Sequence, residues 1–96
     1  MKFGALLMPS HPPERSIGDG QQRDLADLKR LDALGFEEAW IGEHFTASWE
    51  PCPAPDLLIA QALLHTKQIR LGPLGHLLPY HHPVELAHRV AYLDHL

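Results

Sequence analysis

Three short apolar runs, beginning near residues 3, 38 and 69, recur at intervals of about 30–35 residues, the length of a strand–helix–strand unit. Each is followed by a loop broken by proline or glycine, and then by a stretch with helical periodicity. Successive units of this length give parallel strands joined by right-handed crossovers. The fold class is therefore α/β, either an open doubly wound sheet or a slice of a (βα)8 barrel.

Lys2 to Leu7 reads as a buried strand. Met8-Pro9-Ser10-His11-Pro12-Pro13 stops it, and a polar loop is expected through Gly18, Asp19 and Gly20. From about Gln22, Leu25, Leu28, Leu31 and Leu34 recur at helical spacing, while Arg23, Asp24, Asp27, Lys29 and Arg30 form a face expected to be solvated. Gly35 sits where a C-terminal helix cap belongs. The second strand is Glu38 to Gly42, with Trp40 expected in the core; a proline-rich loop then leads to a helix opened by Pro55, whose Leu57–Leu64 run should be buried on most sides. The third strand is Ile69 to Gly72, with a possible continuation through Leu77 and Leu78. Pro83 opens a third helix, with Leu86, Val90 and Leu93 on one stripe.

Composition excludes several classes. Eight basic against twelve acidic side chains, net −4 and without a basic stripe, argue against nucleic acid. No apolar run approaches the ~18–20 residues that span a bilayer. Cys52 is the single cysteine, so no internal disulfide forms and a reducing, cytoplasmic setting is expected. Phe3 to Met8 lacks the cleavage site of a signal peptide.

The opening Lys2-Phe3-Gly4, the segment Leu34-Gly35-Phe36-Glu37-Glu38-Ala39-Trp40-Ile41-Gly42-Glu43-His44, and Leu71-Gly72 with Leu78-Pro79-Tyr80-His81-His82-Pro83 resemble the bacterial-luciferase-like flavin-dependent monooxygenases, in particular the limonene-monooxygenase-like members. The resemblance covers residues 1–96. It implies the N-terminal three βα units of a (βα)8 TIM-type barrel, usually a homo-oligomer, that uses reduced FMN, supplied by a flavin reductase, and O2 to oxygenate a small organic substrate. A deazaflavin is the lesser alternative. By the same resemblance His44 is the proton-transfer histidine beside the flavin and Glu43 its acidic neighbour, both catalytic candidates. Leu74 and Gly75 match a pair joined by a non-proline cis peptide under the flavin ring, and with His76 they are the cofactor-binding candidates. Phe45 stands where many relatives carry a second histidine, and Pro73 and His76 also depart from the family pattern.

Patterning alone leaves His44 open between a structural role and proton exchange, for which imidazole is suited near neutral pH. No metal site is expected: adjacent His81 and His82 point apart in extended chain, and His88 and His95 lack a third ligand. His82 is read as a helix cap or as lining of the substrate mouth. Trp49, in a loop, is open between substrate contact and packing, and Cys52 reads as an ordinary thiol. Gly18-x-Gly20 follows a loop rather than a strand end, which counts against a nucleotide-binding open sheet.

A whole barrel of this type takes about 250 residues. Three strands alone would leave two unpaired edges and one uncovered face, so self-association is expected. The alternative to a monooxygenase part is a non-catalytic associating fragment or remnant.

Overall fold

Alternation along three four-residue strands assigns two faces to the sheet. The computed structural model describes residues 1–96 and has the order β1 (Gly4–Leu7), α1 (Ile17–Ala33), β2 (Glu38–Ile41), α2 (Pro55–Leu63), β3 (Arg70–Pro73), a 3-10 turn (Leu78–Tyr80) and α3 (Pro83–Leu93). All pairing is parallel, in the order β1-β2-β3. Ala5, Leu7, Ala39, Ile41 and Leu71 face the helices, and the core forms between them and Leu25, Leu28, Leu58, Ile59 and Ala62. Leu28, Ile41 and Ile59 are sealed from solvent; burying such a side chain stabilises by about 1.5–3 kcal/mol.

The other sheet face carries Leu6, Glu38, Trp40, Arg70 and Gly72 and is covered by nothing. Trp40 is thus 41% exposed, not a core residue. Its ring lies over Gly72, where a Cβ would come within 2.9 Å of it, and its Nε1–H donates to Glu38 (3.2 Å). The sheet is an open segment with two free edges, the outer sides of β1 and β3.

Several boundaries differ from the sequence expectation. α1 begins at Ile17 because Ser16 caps it, its hydroxyl accepting from the Asp19 N–H (3.1 Å); Gly18 to Gly20 are therefore helical. Gly20 is helical without a side chain for a reason: a Cβ would lie 2.6 Å from the His11 ring. That ring donates to Asp24 (3.0 Å), so Asp24 is buried beneath the loop after β1 rather than solvated. At the other end Gly35 takes φ +80°, and its N–H and that of Phe36 close on Asp32 and Leu31. α2 buries Leu58, Ile59 and Ala62 but exposes Leu57, so it covers the sheet with one side only. β3 ends at Pro73; the Leu74 N–H still bonds to the Ile41 carbonyl (2.7 Å) before the chain turns at Gly75. α3 buries only Leu86 and is tied to α2 by Arg89, which donates to buried Asp56 (2.9 Å). No helix is long and apolar enough to cross a membrane.

One carboxylate joins the end of α1 to the start of β3. Asp32 accepts from the backbone N–H groups of Lys67, Gln68 and Ile69 at 2.9–3.0 Å. The Ile69 and Gln68 N–H groups hold its carboxyl below the ordinary 3.8. The unfolded chain thus binds this proton more readily, so the stabilisation is complete above the ordinary value and is lost as pH falls through the depressed one. Asp32→Ala should lower the midpoint of thermal unfolding at neutral pH and flatten its fall below about pH 4. Melts followed by circular dichroism from neutral to acid pH check this; an unchanged acid limb would remove Asp32 from the account.

Candidate functional site

The flush ends of three parallel strands bring two loops together. The Gly42 N–H bonds to the Leu7 carbonyl (3.1 Å), and the Leu74 N–H to that of Ile41 (2.7 Å), so the chain leaves both strands at one level. Gly42 to Ala47 and Leu74 to Leu77, with Met8 and Tyr80, line a cleft of about 520 Å³ at the carboxyl ends of the strands. Active sites of (βα)8 proteins lie at that end. Gly75 turns the chain with φ +72°, and nothing lies within 4 Å of where its Cβ would be, so the backbone there is open to an approaching group. Thr46 also has a positive φ, 54°, a region β-branched residues rarely occupy.

Glu43 is the most enclosed polar group of the cleft, its side chain 1% exposed. His76 Nδ1–H donates to its Oε2 (2.6 Å), His81 Nε2–H to its Oε1 (2.6 Å), and the Leu77 N–H also to Oε1 (3.2 Å). Burial alone would raise this carboxyl; the hydrogen bonds from His81, His76 and Leu77 together outweigh it and hold it below its ordinary value. The two imidazole rings meet edge to face, 5.3 Å between centroids, and Phe45 packs on Tyr80 at 5.1 Å beside them.

His44 lies across the cleft lining. Its Nδ1 is 3.4 Å from Glu50 Oε2. Its Nε2 is buried without a partner, folded against Gly42, where a Cβ would stand 2.5 Å from that nitrogen and 3.1 Å from Met8 Sδ. His76 Nε2 is likewise buried and unpartnered.

The structure brings all the sequence candidates, Glu43, His44, Leu74, Gly75 and His76, to this one cleft. It corrects one detail: no peptide bond is cis, so Leu74–Gly75 is trans and the turn is made by the positive φ of Gly75. His82 does precede α3 but makes no side-chain cap bond. Trp49 is exposed and outside the cleft lining. Cys52 is buried, and burial pushes its thiol up to about 11, which keeps it unreactive. His81 and Glu50 were not among the candidates. His81 had a signal in the Tyr80-His81-His82-Pro83 string, but only the fold shows which of the two histidines turns inward. Glu50 had none, because its approach to His44 depends on the path of the loop.

The chain matches, over residues 1–96, the family described as luciferase-like monooxygenase. It is 46% identical over its full length to 4-hydroxyprotoasukamycin monooxygenase of Streptomyces nodosus subsp. asukaensis, covering 26% of that protein. It is 40% identical over 98% of its length to limonene 1,2-monooxygenase of Rhodococcus erythropolis, covering 24% of it. Among solved structures, the oxygenating constituent of 3,6-diketocamphane monooxygenase of Pseudomonas putida, in complex with FMN, superposes with a TM-score of 0.94 at 36% identity, covering 99% of this chain and 26% of that one. The three βα units are thus a segment of a (βα)8-barrel architecture with an unclosed sheet, and the chain belongs to the luciferase-like monooxygenase family. It spans about a quarter of the length of these relatives.

Gly42→Ala should displace the His44 ring, since a methyl group cannot stand 2.5 Å from its Nε2. The expected result is a shifted His44 imidazole resonance with circular dichroism unchanged. An unmoved resonance in a folded variant would mean that Gly42 does not set the ring's position.

Proposed function

We propose that this chain supplies one wall of the flavin cleft of a monooxygenase that uses reduced FMN and O2 to oxygenate a small organic substrate. The observation that carries the reading is the cleft at the strands' carboxyl ends, which gathers Glu43, His44, Leu74, Gly75 and His76. The FMN complex of the diketocamphane relative supports it. The residues fit a flat ring system: Leu74 and Gly75 offer an open apolar ledge, with polar nitrogens at its side. They do not fit the phosphate, because no lysine or arginine lines the cleft. Those contacts come from later strands in barrels of this fold.

The flavin supplies the two-electron reduction of oxygen when bound. His44 is the residue that moves a proton, with the Glu50 carboxylate 3.4 Å from its Nδ1 to hold the ring and its tautomer. Glu43 acts by position: both of its oxygens are taken by His76, His81 and the Leu77 N–H, so it fixes the segment on which the ring would rest. FMN suits the ledge without requiring the deazaflavin alternative, and a flavin reductase is the natural source of reduced FMN.

A second reading is favoured by the uncovered sheet face. With Leu6 60% and Trp40 41% exposed on it, and two free strand edges, the 96-residue chain is suited to homo-association without catalysis.

Titration with oxidised FMN, followed by flavin fluorescence, tests the first reading. Binding is expected to be weak, of the ring alone, and competed by a ring analogue lacking the phosphate, and His44→Asn should weaken it further. Binding governed by the phosphate, or none at any concentration, would remove the flavin assignment. Light scattering after size exclusion tests the second: a mass above 10.8 kDa is expected, and a monodisperse monomer would overturn it.

A further inference from the structure

Glu43, His76 and His81 place one carboxylate oxygen and two imidazole nitrogens within 4.8 Å of one another. Their side chains are 1%, 9% and 10% exposed, so the group is a buried cluster and not a chance surface grouping. Three different places in the fold deliver them: Glu43 follows β2, His76 follows the turn at Gly75, and His81 follows the 3-10 turn. The Leu77 N–H to Glu43 Oε1 bond fixes the loop that carries His76 against the strand end that carries Glu43. A buried carboxylate could be satisfied by this N–H and one imidazole. The second imidazole makes the set a three-point chelate.

We propose that these three residues form a site for one divalent transition-metal ion of the zinc type, with its remaining position open toward the cleft. Two imidazoles and one carboxylate are the ligand set of zinc centres that keep a fourth position for water. A calcium or magnesium site would require more oxygen ligands than one carboxylate gives. The two imidazoles converge on the Glu43 carboxylate at 2.6 Å, one on each oxygen, and an ion would take the place of the two N–H protons. Around zinc at ~2.0–2.1 Å the ligand atoms lie about 3.3 Å apart, so the two imidazole nitrogens, which bond to different oxygens of Glu43, would close onto one ion from within a 4.8 Å spread. The protons relocate to His76 Nε2 and His81 Nδ1, and both rings stay neutral. The open position falls on the cleft because Glu43 and His76 both line it. Of the adjacent His81 and His82, only His81 takes part, which meets the geometric objection to a site built on the two together. This assignment shares Glu43 and His76 with the flavin cleft but does not require that a flavin binds there.

The test uses the 96-residue chain, freed of metal with a chelator and titrated with Co2+ and Zn2+. One equivalent is expected to bind, with visible Co2+ bands of a four-coordinate nitrogen and oxygen site and a rise in the melting temperature with Zn2+. Glu43→Gln and His81→Asn, each checked for folding by circular dichroism, should weaken binding by about 10–100-fold or more. His88→Asn with His95→Asn, which removes two histidines outside the cluster, should leave it unchanged. Absence of stoichiometric Co2+ binding to the unsubstituted chain, or affinity that survives in folded Glu43→Gln or His81→Asn, overturns the proposal. If both variants fail to fold, the Co2+ spectrum of the unsubstituted chain decides: six-coordinate, all-oxygen bands overturn it and four-coordinate bands support it.

Discussion

β2 is hydrogen-bonded on both sides, and its register decides where every other group in the molecule falls. Leu7, Ile41 and Pro73 stand side by side at the ends of the three strands. The loops that follow therefore start at one level and on one side, which is what brings Met8, Gly42–Ala47 and Leu74–Leu77 to a common cleft. Because side chains alternate with a period of two, a slip of one residue would carry Ala39 and Ile41 out of the core and leave Trp40 facing the helices. The zero exposure of Ala39 and Ile41 fixes the register that the cleft needs.

Four buried carboxylates then join segments that the sheet alone would leave loose. Asp32 holds the start of β3 to the end of α1, and Asp24 holds His11 and the first loop to the same helix. Asp56 holds α3 through Arg89, and Glu43 holds the segment from His76 to His81. Each of these carboxylates accepts hydrogen bonds from a segment distant in sequence, so removing one leaves donors of that segment without a partner. Glu43 belongs both to this structural set and to the cleft, so the shape of the site and the stability of its loops rest on one side chain.

The helix-facing side of the sheet and the order of elements were legible in the residues. Three apolar runs at even spacing, Pro55 and Pro83 at helix starts, and Gly35 at a helix end are local signals with local causes, and the structure carries them where the pattern puts them. What was hidden depends on partners far away in sequence. Asp24 looks solvated on a helical wheel, and only the arrival of His11 buries it. Trp40 looks like core in an apolar strand, yet the face it occupies is uncovered in this chain, so an aromatic ring packed on Gly72 stays in contact with solvent. The Ser16 cap was readable but was masked by two glycines, which normally argue against helix.

The residues alone settled that parallel strands would alternate with helices, and that Glu43 and His44 would leave the second strand together, because strand spacing and chain punctuation are properties of neighbours. Tertiary structure alone settled which histidine turns toward Glu43, that Leu74–Gly75 bends through a positive φ in a trans chain, and that Glu50 faces His44. Those outcomes depend on loops from different strands meeting at fixed distances, and no stretch of sequence contains the distance between two loops.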